Sequence, residues 1–300
     1  MKPNIDFVSA HHDKFEAGVK DLLDKPASAE AEKWTKGIKF TGTEDIVDPQ
    51  IHPEQGRELL ARMPESLRKM SLLKEVAYHT FGEKRVIPVP GYDEEGNFDK
   101  KQVQLVSIDE FPRKEDHQSR ILVGVSTGTT IYPTPIPKTV SEDERAVYLY
   151  QLHVFLHEFF HTIDYKRRDP VEREKIVLEV DGQQFTYQYW WKAFEELILS
   201  AIEPMCVSSY ANTYFDDLNQ KTADEDYDKF TYALAEQICE TFVAYMLNII
   251  SNDEGWTDFK GQSFGNIRQL KKFIKEESSA ANLKWILMDK LCRAKVVKMD

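Results

Sequence analysis

The sequence predicts an α+β protein in which a small sheet lies between two groups of helices. Three observations predict it. The first 75 or so residues carry apolar side chains at helical spacing, the middle of the chain holds short β-branched runs, and the remainder returns to helical periodicity. Helices and strands that are segregated in this way are typical of α+β folds rather than of alternating α/β folds.

The predicted elements follow in order along the chain. FEAGVKDLLDK and PESLRKMSLLKEVAYHTF are amphipathic and predict helices, with a turn-rich segment between them. KRVIPVP, QVQLVSI and RILVGVSTGTTIYP then predict the strands of a small mixed or antiparallel sheet. The pattern after PTPIPK is almost entirely helical. We therefore expect a helical N-terminal segment, residues 1–75, packed on a larger domain, residues 76–300.

Composition and charge limit the classes of function. The chain has 300 residues, 41% of them hydrophobic, which is enough for a full core. Its formal net charge of -12 argues against nucleic-acid binding, because such proteins need a basic face. No window has the roughly 18 apolar residues of a membrane span, and the start of the chain has no apolar signal-peptide run. We expect a cytoplasmic protein, with export by a specialised route left open.

The stretch HEFFH, which begins at His157, is the strongest functional signal. Ser141 and Glu144 predict the start of its helix as a capping box, and the many apolar residues predict that the helix is buried. At 3.6 residues per turn, His157 and His161 lie on one face, where two imidazoles can reach the same metal ion. Glu158 lies beside them, where it can act on an activated water. The same pattern arises by chance in roughly one chain in a hundred.

A third protein ligand has to come from elsewhere in the chain. A continuation of the HExxHxxGxxH type would need glycine and histidine where Asp164 and Arg167 stand. The best remaining candidates are Glu236 and Glu240, four residues apart in the apolar stretch FTYALAEQICETFVAYMLNII. The alternative is that these two glutamates lie on a solvated stripe.

Three other features are expected to be structural. His153 lies one turn before the motif, but a further ligand would close the open position that catalysis needs, so we expect a packing or supporting role. Cys239 is expected to be a small buried hydrophobe. The aromatic run YQYWWKAF, residues 187–194, is expected to pack in a core or interface rather than to line a substrate groove.

The two motifs together resemble a known family. HEFFHTID, followed by ExxxETFVAY, is similar to the catalytic domain of anthrax lethal factor and its relatives, which are gluzincins with an HEFGHxxD-type helix and a later ExFxAE-type helix. The resemblance implies a zincin-like fold, with a small sheet packed on the long HExxH helix. It also implies that His157, His161 and Glu236 bind Zn2+ and that Glu158 is the general base.

The resemblance extends to two supporting carboxylates and covers roughly residues 65 to 250. Glu240 matches the position whose carboxylate orients a ligand histidine, which fixes the tautomer and the angle of the ring. Asp164 matches the aspartate three residues after the second histidine. The first 65 residues and the last 50 have no counterpart in the family.

The family also uses a tyrosine just upstream of the zinc glutamate. Tyr210, in VSSYANTYFDD, has the matching local setting, although a long acidic segment separates it from Glu236. Tyr227 and Tyr232 lie closer along the chain. The resemblance favours Tyr210, because a loop tyrosine among small residues can reach the metal, whereas Tyr232 lies one helical turn before Glu236 and is expected to pack.

The resulting hypothesis is a zinc-dependent endopeptidase that hydrolyses a peptide or protein substrate. Endopeptidase is favoured because GxMEN, the exopeptidase signature of one gluzincin branch, is absent from the sequence. The alternative is a non-catalytic zinc-binding interaction module on a peptidase scaffold. Because the family includes toxins, the resemblance also allows an effector that acts inside another cell. The substrate and the oligomeric state do not follow from the sequence.

Overall fold

The computed structural model describes residues 12–46, 50–78, 84–88, 91–92, 98–99, 102–106, 124–133, 135, 143–164, 169–200, 211, 214–248 and 280–299. The α-helices in these ranges are α1 (His12–Leu23), α2 (Ala29–Lys36), α3 (Pro53–Ala61), α4 (Glu65–Met70), α5 (Glu144–Asp164), α6 (Pro170–Glu174), α7 (Tyr187–Ser200), α8 (Gln220–Glu225), α9 (Tyr227–Leu247) and α10 (Ala280–Arg293). The strands are β1 (Lys39–Thr41), β2 (Glu75–Ala77), β3 (Lys84–Pro88), β4 (Gly91–Tyr92), β5 (Phe98–Asp99), β6 (Gln102–Val106), β7 (Gly124–Ser126), β8 (Thr130–Pro133), β9 (Ile176–Val180), β10 (Gln183–Thr186) and β11 (Lys295–Met299).

This mixture of helices and small sheets agrees with the predicted α+β class. Among the described residues, no helix is both long and apolar enough to span a bilayer. The chain folds into two compact units, which are Met1–Met63 with Ser71–Tyr165 (unit 1) and Pro64–Met70 with Lys166–Asp300 (unit 2). Unit 1 takes in residues from both sides of the expected boundary between residues 75 and 76.

Unit 1 contains a four-stranded mixed sheet in the order β1-β2-β8-β7. Strands β1, β2 and β8 are parallel, whereas β7 is antiparallel to β8 and lies at the edge. Residues 124–133, the described part of the run RILVGVSTGTTIYP, are thus a hairpin of two strands rather than one long strand. At its turn, Thr127 N donates to Thr130 O at 3.0 Å and Gly128 has a φ of 82°. Residues with a side chain rarely adopt this φ, so the glycine is what divides the run.

Helix α5 packs on β7 and β8 within unit 1, and α1 packs on α5. Most residues of α5 from Ala146 to Asp164 are buried, as the apolar sequence around HEFFH predicts, whereas Glu144 and Arg145 at its start are exposed. A helix that is apolar on most sides must be enclosed by other elements rather than lie on a surface. The motif is therefore carried by a central helix of this unit.

Unit 2 contains a three-stranded antiparallel sheet in the order β10-β9-β11, with α7 and α10 packed nearby. The sequence analysis did not predict these strands. The YQYWWKAF run forms most of α7 and lies in the core, as expected, because Trp190 and Trp191 are almost fully buried. Trp190 Nε1 donates to Leu287 O at 2.6 Å, and the ring of Tyr187 stacks on Trp190.

Helix α4 also belongs to unit 2, although its neighbours along the chain belong to unit 1. It packs on α10 and β11, and Leu67 and Met70 are fully buried. Ser66 Oγ donates to Leu291 O at 2.7 Å. Residues that are more than two hundred positions apart in sequence thus form one part of this core.

Candidate metal centre

Helix α5, which carries HEFFH, begins at Glu144. Asp143 caps it, because its Oδ1 accepts hydrogen bonds from Arg145 N at 3.0 Å and from Ala146 N at 3.1 Å. The expected capping box is therefore wrong in register: Glu144 is the first helical residue, and an aspartate satisfies the free N–H groups. Aspartate is as good an N-cap as serine, so the helix can begin two residues later than the capping box predicted. Ser141 lies outside the described residues.

The last turn of α5 is fixed by hydrogen bonds and by an aromatic contact within unit 1. Thr162 Oγ1 donates to Phe159 O at 2.6 Å, which leaves Ser71 Oγ to donate to Thr162 Oγ1, also at 2.6 Å. Leu72 N donates to Thr162 O at 3.1 Å. The ring of Trp34 meets Phe159 edge-on, with centroids 6.3 Å apart. These contacts hold the rotation and position of the turn that bears the motif.

The two motif histidines lie side by side, as their spacing predicts. His157 Nε2 and His161 Nε2 are 3.1 Å apart, and the ring planes meet at 69°. This distance allows one ring to donate a hydrogen bond to the other. It also suits a metal, since two nitrogen ligands of a tetrahedral zinc ion, each about 2.05 Å from it, lie about 3.3 Å apart. Both histidines are candidate metal ligands, and the pair fits a zinc ion with little movement.

Two carboxylates on the motif helix α5 are buried. Glu158 follows the first motif histidine and is 8% exposed, and Asp164 is the last residue of the helix and is 1% exposed. A carboxylate costs free energy when it leaves water, so its presence on a buried helix requires compensating interactions. In metal-assisted hydrolysis, a glutamate directly after a metal-binding histidine serves as the general base.

His153 lies one helical turn before His157 and is also buried. Its ring stacks on Tyr150, with centroids 6.0 Å apart and planes at 19°, and is tilted against Phe15 of α1 at 6.1 Å. These contacts agree with the packing role expected from the sequence. His153 is in addition a candidate metal ligand, which the sequence analysis did not expect.

Helix α9 of unit 2 carries the second predicted set of site residues. Asp226 caps its first turn, and Asn248 ends it in the left-handed region with a φ of 50°. Glu236, Cys239 and Glu240 are all buried. The alternative that the two glutamates lie on a solvated stripe is therefore wrong.

Glu236, Cys239 and Glu240 differ as candidate ligands. Cys239 and Glu240 each have a side-chain atom close enough to other possible ligand atoms to share a metal ion. Among the described residues, Glu236 does not belong to such a group. Sequence reasoning missed Cys239 because it treated a lone buried cysteine as a hydrophobe. The signal was its position directly before Glu240 on the helix that was already suspected of supplying a ligand.

The three tyrosines that were candidates to assist catalysis differ in their surroundings. Tyr210 lies outside the described residues. Tyr227 donates through its hydroxyl to Glu195 Oε2 at 3.1 Å, and the ring of Tyr232 meets Tyr214 edge-on at 5.6 Å. Lys192 Nζ also contacts Glu195, at 2.6 Å, so Tyr227 belongs to a polar cluster of its own. Burial acts to lower the pKa of Lys192, but the hydrogen bond and the charge of Glu195 together with the contacts of Tyr227 outweigh burial, so the pKa is raised.

Comparisons with known proteins returned no match. No family model matches the chain, and no curated protein or solved structure matches it. The resemblance to the lethal-factor family therefore depends on the two helix motifs alone.

Proposed function

We propose that this protein is a zinc-dependent endopeptidase of the gluzincin type, with a zincin-like arrangement of sheet and helix in unit 1. The observation that supports it most is the imidazole pair on α5, with His157 Nε2 and His161 Nε2 3.1 Å apart and with Glu158, the residue directly after His157, buried. A purely structural zinc site has no need of that glutamate, whereas hydrolysis requires a base.

The proposed ligands are the two histidines of α5 and one side chain of α9. The resemblance favours Glu236, with Glu240 accepting a hydrogen bond from a ligand imidazole and so fixing its tautomer. Cys239 and Glu240 are the rivals, since both are buried candidate ligands. Any of the three gives a ligand set that zinc accepts, because zinc binds both carboxylate oxygen and thiolate sulfur.

The proposed reaction is hydrolysis of a peptide bond. Bound zinc supplies a Lewis acid that acidifies water and polarises the carbonyl that is attacked. Glu158 accepts a proton from the attacking water and returns it to the leaving amine. Tyr210, which the resemblance assigns, donates a hydrogen bond to the oxyanion. Asp164 stays a supporting carboxylate at the end of the same helix.

The proposed substrate is an extended peptide that pairs with the edge strand β7. In the described part of the chain, β7 pairs on one side only, with β8, and α5 packs on both strands. An edge strand offers backbone N–H and C=O groups to a peptide in extended conformation. Because α5 packs on β7, a peptide held there would run close to the helix that bears the motif. A cytoplasmic location is part of the same proposal.

The experiment that tests this function combines zinc analysis with peptide cleavage. Purified protein is assayed for zinc by elemental mass spectrometry and for cleavage of a peptide library, with and without a chelator. We expect about one zinc per chain and cleavage that the chelator abolishes. Glu158→Gln should retain the zinc and lose cleavage, whereas Glu144→Gln, an exposed glutamate on the same helix, should lose neither.

Three results would contradict the proposal. A Glu158→Gln variant that cleaves as fast as the wild type would remove the assigned base. Zinc binding without cleavage of any library peptide would instead support the alternative, a non-catalytic zinc-binding interaction module. Absence of zinc from both proteins would exclude a metal role for the motif.

A further inference from the structure

The histidines of α5 form a series of three, not a pair. His153, His157 and His161 follow one another at four-residue spacing, so each side chain lies about 6 Å along the helix from the next, on nearly the same face. A ring nitrogen of His153 lies within 4.8 Å of a ring nitrogen of His157. His157 therefore has a neighbouring imidazole on both sides.

We infer that His153 and His157 form a second binding position for a divalent transition-metal ion, one helical turn before the pair of His157 and His161. Two nitrogen ligands of one tetrahedral ion lie about 3.3 Å apart. The His153 and His157 nitrogens lie within 4.8 Å of each other, so they need to approach by no more than about 1.5 Å, which side-chain rotations supply. Imidazole pairs suit zinc, copper and nickel, and these ions are the chemical class of ligand.

The packing of His153 is compatible with this role. Tyr150 stacks on the face of the ring, and Phe15 is tilted against it. Metal ligation uses the lone pair of a nitrogen, which lies in the plane of the ring and points from its edge. The aromatic neighbours thus hold the ring in one orientation without occupying the direction of the metal bond. A ligand that is held in advance loses less side-chain entropy when the ion binds.

The second position has a consequence for the proposed reaction, and this step rests on the proposed function. Both positions use His157. An ion bound to His153 and His157 therefore competes for an imidazole that the catalytic ion needs, so an excess of metal should slow the peptidase. The second position itself does not depend on catalysis.

The test is zinc binding by equilibrium dialysis of the full chain against buffered zinc, with elemental analysis. His161→Gln removes the proposed catalytic pair and keeps the second position. We expect His161→Gln to bind zinc more weakly than the wild type. The double variant His153→Gln/His161→Gln should have a half-saturating zinc concentration at least tenfold higher than that of His161→Gln. Loss of an outer partner of a zinc ligand already costs about 10–100-fold, and a direct ligand should cost no less. His52→Gln, at an exposed histidine of unit 1, is the matched control.

Identical zinc curves for His161→Gln and His153→Gln/His161→Gln would overturn the inference. His153→Phe is the second variant, because a phenylalanine keeps the aromatic contacts of that site and should fold even if glutamine does not. Failure of the proposed function is recognised separately, because the wild type would then cleave no library peptide, whatever the order of the zinc curves.

Discussion

Zinc should raise the thermal stability of this protein, and His161→Gln should remove most of that effect. Glutamine can still donate a hydrogen bond toward His157, so the metal-free variant should be nearly as stable as the metal-free wild type. It lacks the imidazole nitrogen that binds zinc strongly. The substitution therefore separates metal binding from the hydrogen bond between the two rings.

The expected rise in melting temperature follows from how well the His157 and His161 pair fits a zinc ion. The Nε2 atoms are 3.1 Å apart, and zinc requires a separation of about 3.3 Å, so little of the binding free energy is lost to rearrangement. Free zinc at 100 times the dissociation constant then stabilises the folded state by about 2.7 kcal/mol. At about 2–4 °C per kcal/mol, the melting temperature should rise by about 5–11 °C.

The assay is differential scanning calorimetry of metal-free protein in zinc buffer and in chelator. The wild type should show the full rise and His161→Gln only a small fraction of it, at a zinc concentration that just saturates the wild type. His52→Gln should behave as the wild type. An equal rise in His161→Gln would show that the stabilising zinc lies elsewhere, and no rise in any variant would refute a metal-binding pair.

Three further predictions concern the third ligand and the stability of each unit. Glu236→Gln should lower zinc affinity more than Glu240→Gln, measured by competition with a chelator, since a direct ligand matters more than one that orients it; the reverse order would make Glu240 the ligand. Burial raises the pKa of Tyr78, so the folded state binds the phenol proton more tightly than the unfolded state. The resulting contribution to the free energy of unfolding is complete below about pH 10 and is lost as the pH rises further. Urea unfolding of Tyr78→Phe should therefore show a smaller loss of stability at high pH. Gly42→Ala should lower the free energy of unfolding clearly more than Gly182→Ala. Both glycines have a positive φ, which costs an alanine about 1–2 kcal/mol, but only at Gly42 would the new Cβ lie 2.4 Å from Tyr78 O. Equal losses in denaturant unfolding would contradict the clash.

Local pattern was enough to predict the motif helix but not the sheet of unit 2. The helix around HEFFH depends on spacing within its own residues, so its burial could be predicted from sequence. The strands β9 and β10 had a local signal as well, the alternation of IVLEV followed by Asp181 and Gly182. Both residues of this turn have a positive φ, which is the geometry that an Asp-Gly hairpin requires. The helical periodicity of the surrounding sequence obscured it.

The candidate ligands divide in the same way. The contact between His157 and His161 follows from a four-residue spacing and needs no tertiary information. Which residue of α9 completes a metal site depends on long-range packing, which spacing within α9 does not determine. Glu236, Cys239 and Glu240 are all buried, and the sequence distinguished them only through the family resemblance.

The position of α4 in the chain affects the order in which the protein can fold during synthesis. Its core contacts, including the hydrogen bond from Ser66 to Leu291, involve residues that leave the ribosome only after more than two hundred others. The helices and strands of unit 1 can pack together earlier, because Ser71–Tyr165 follows α4 directly in the chain. Leu67 and Met70 therefore remain without their native partners while most of the chain is being made, and their apolar side chains can promote aggregation until the last helix and strand are synthesised.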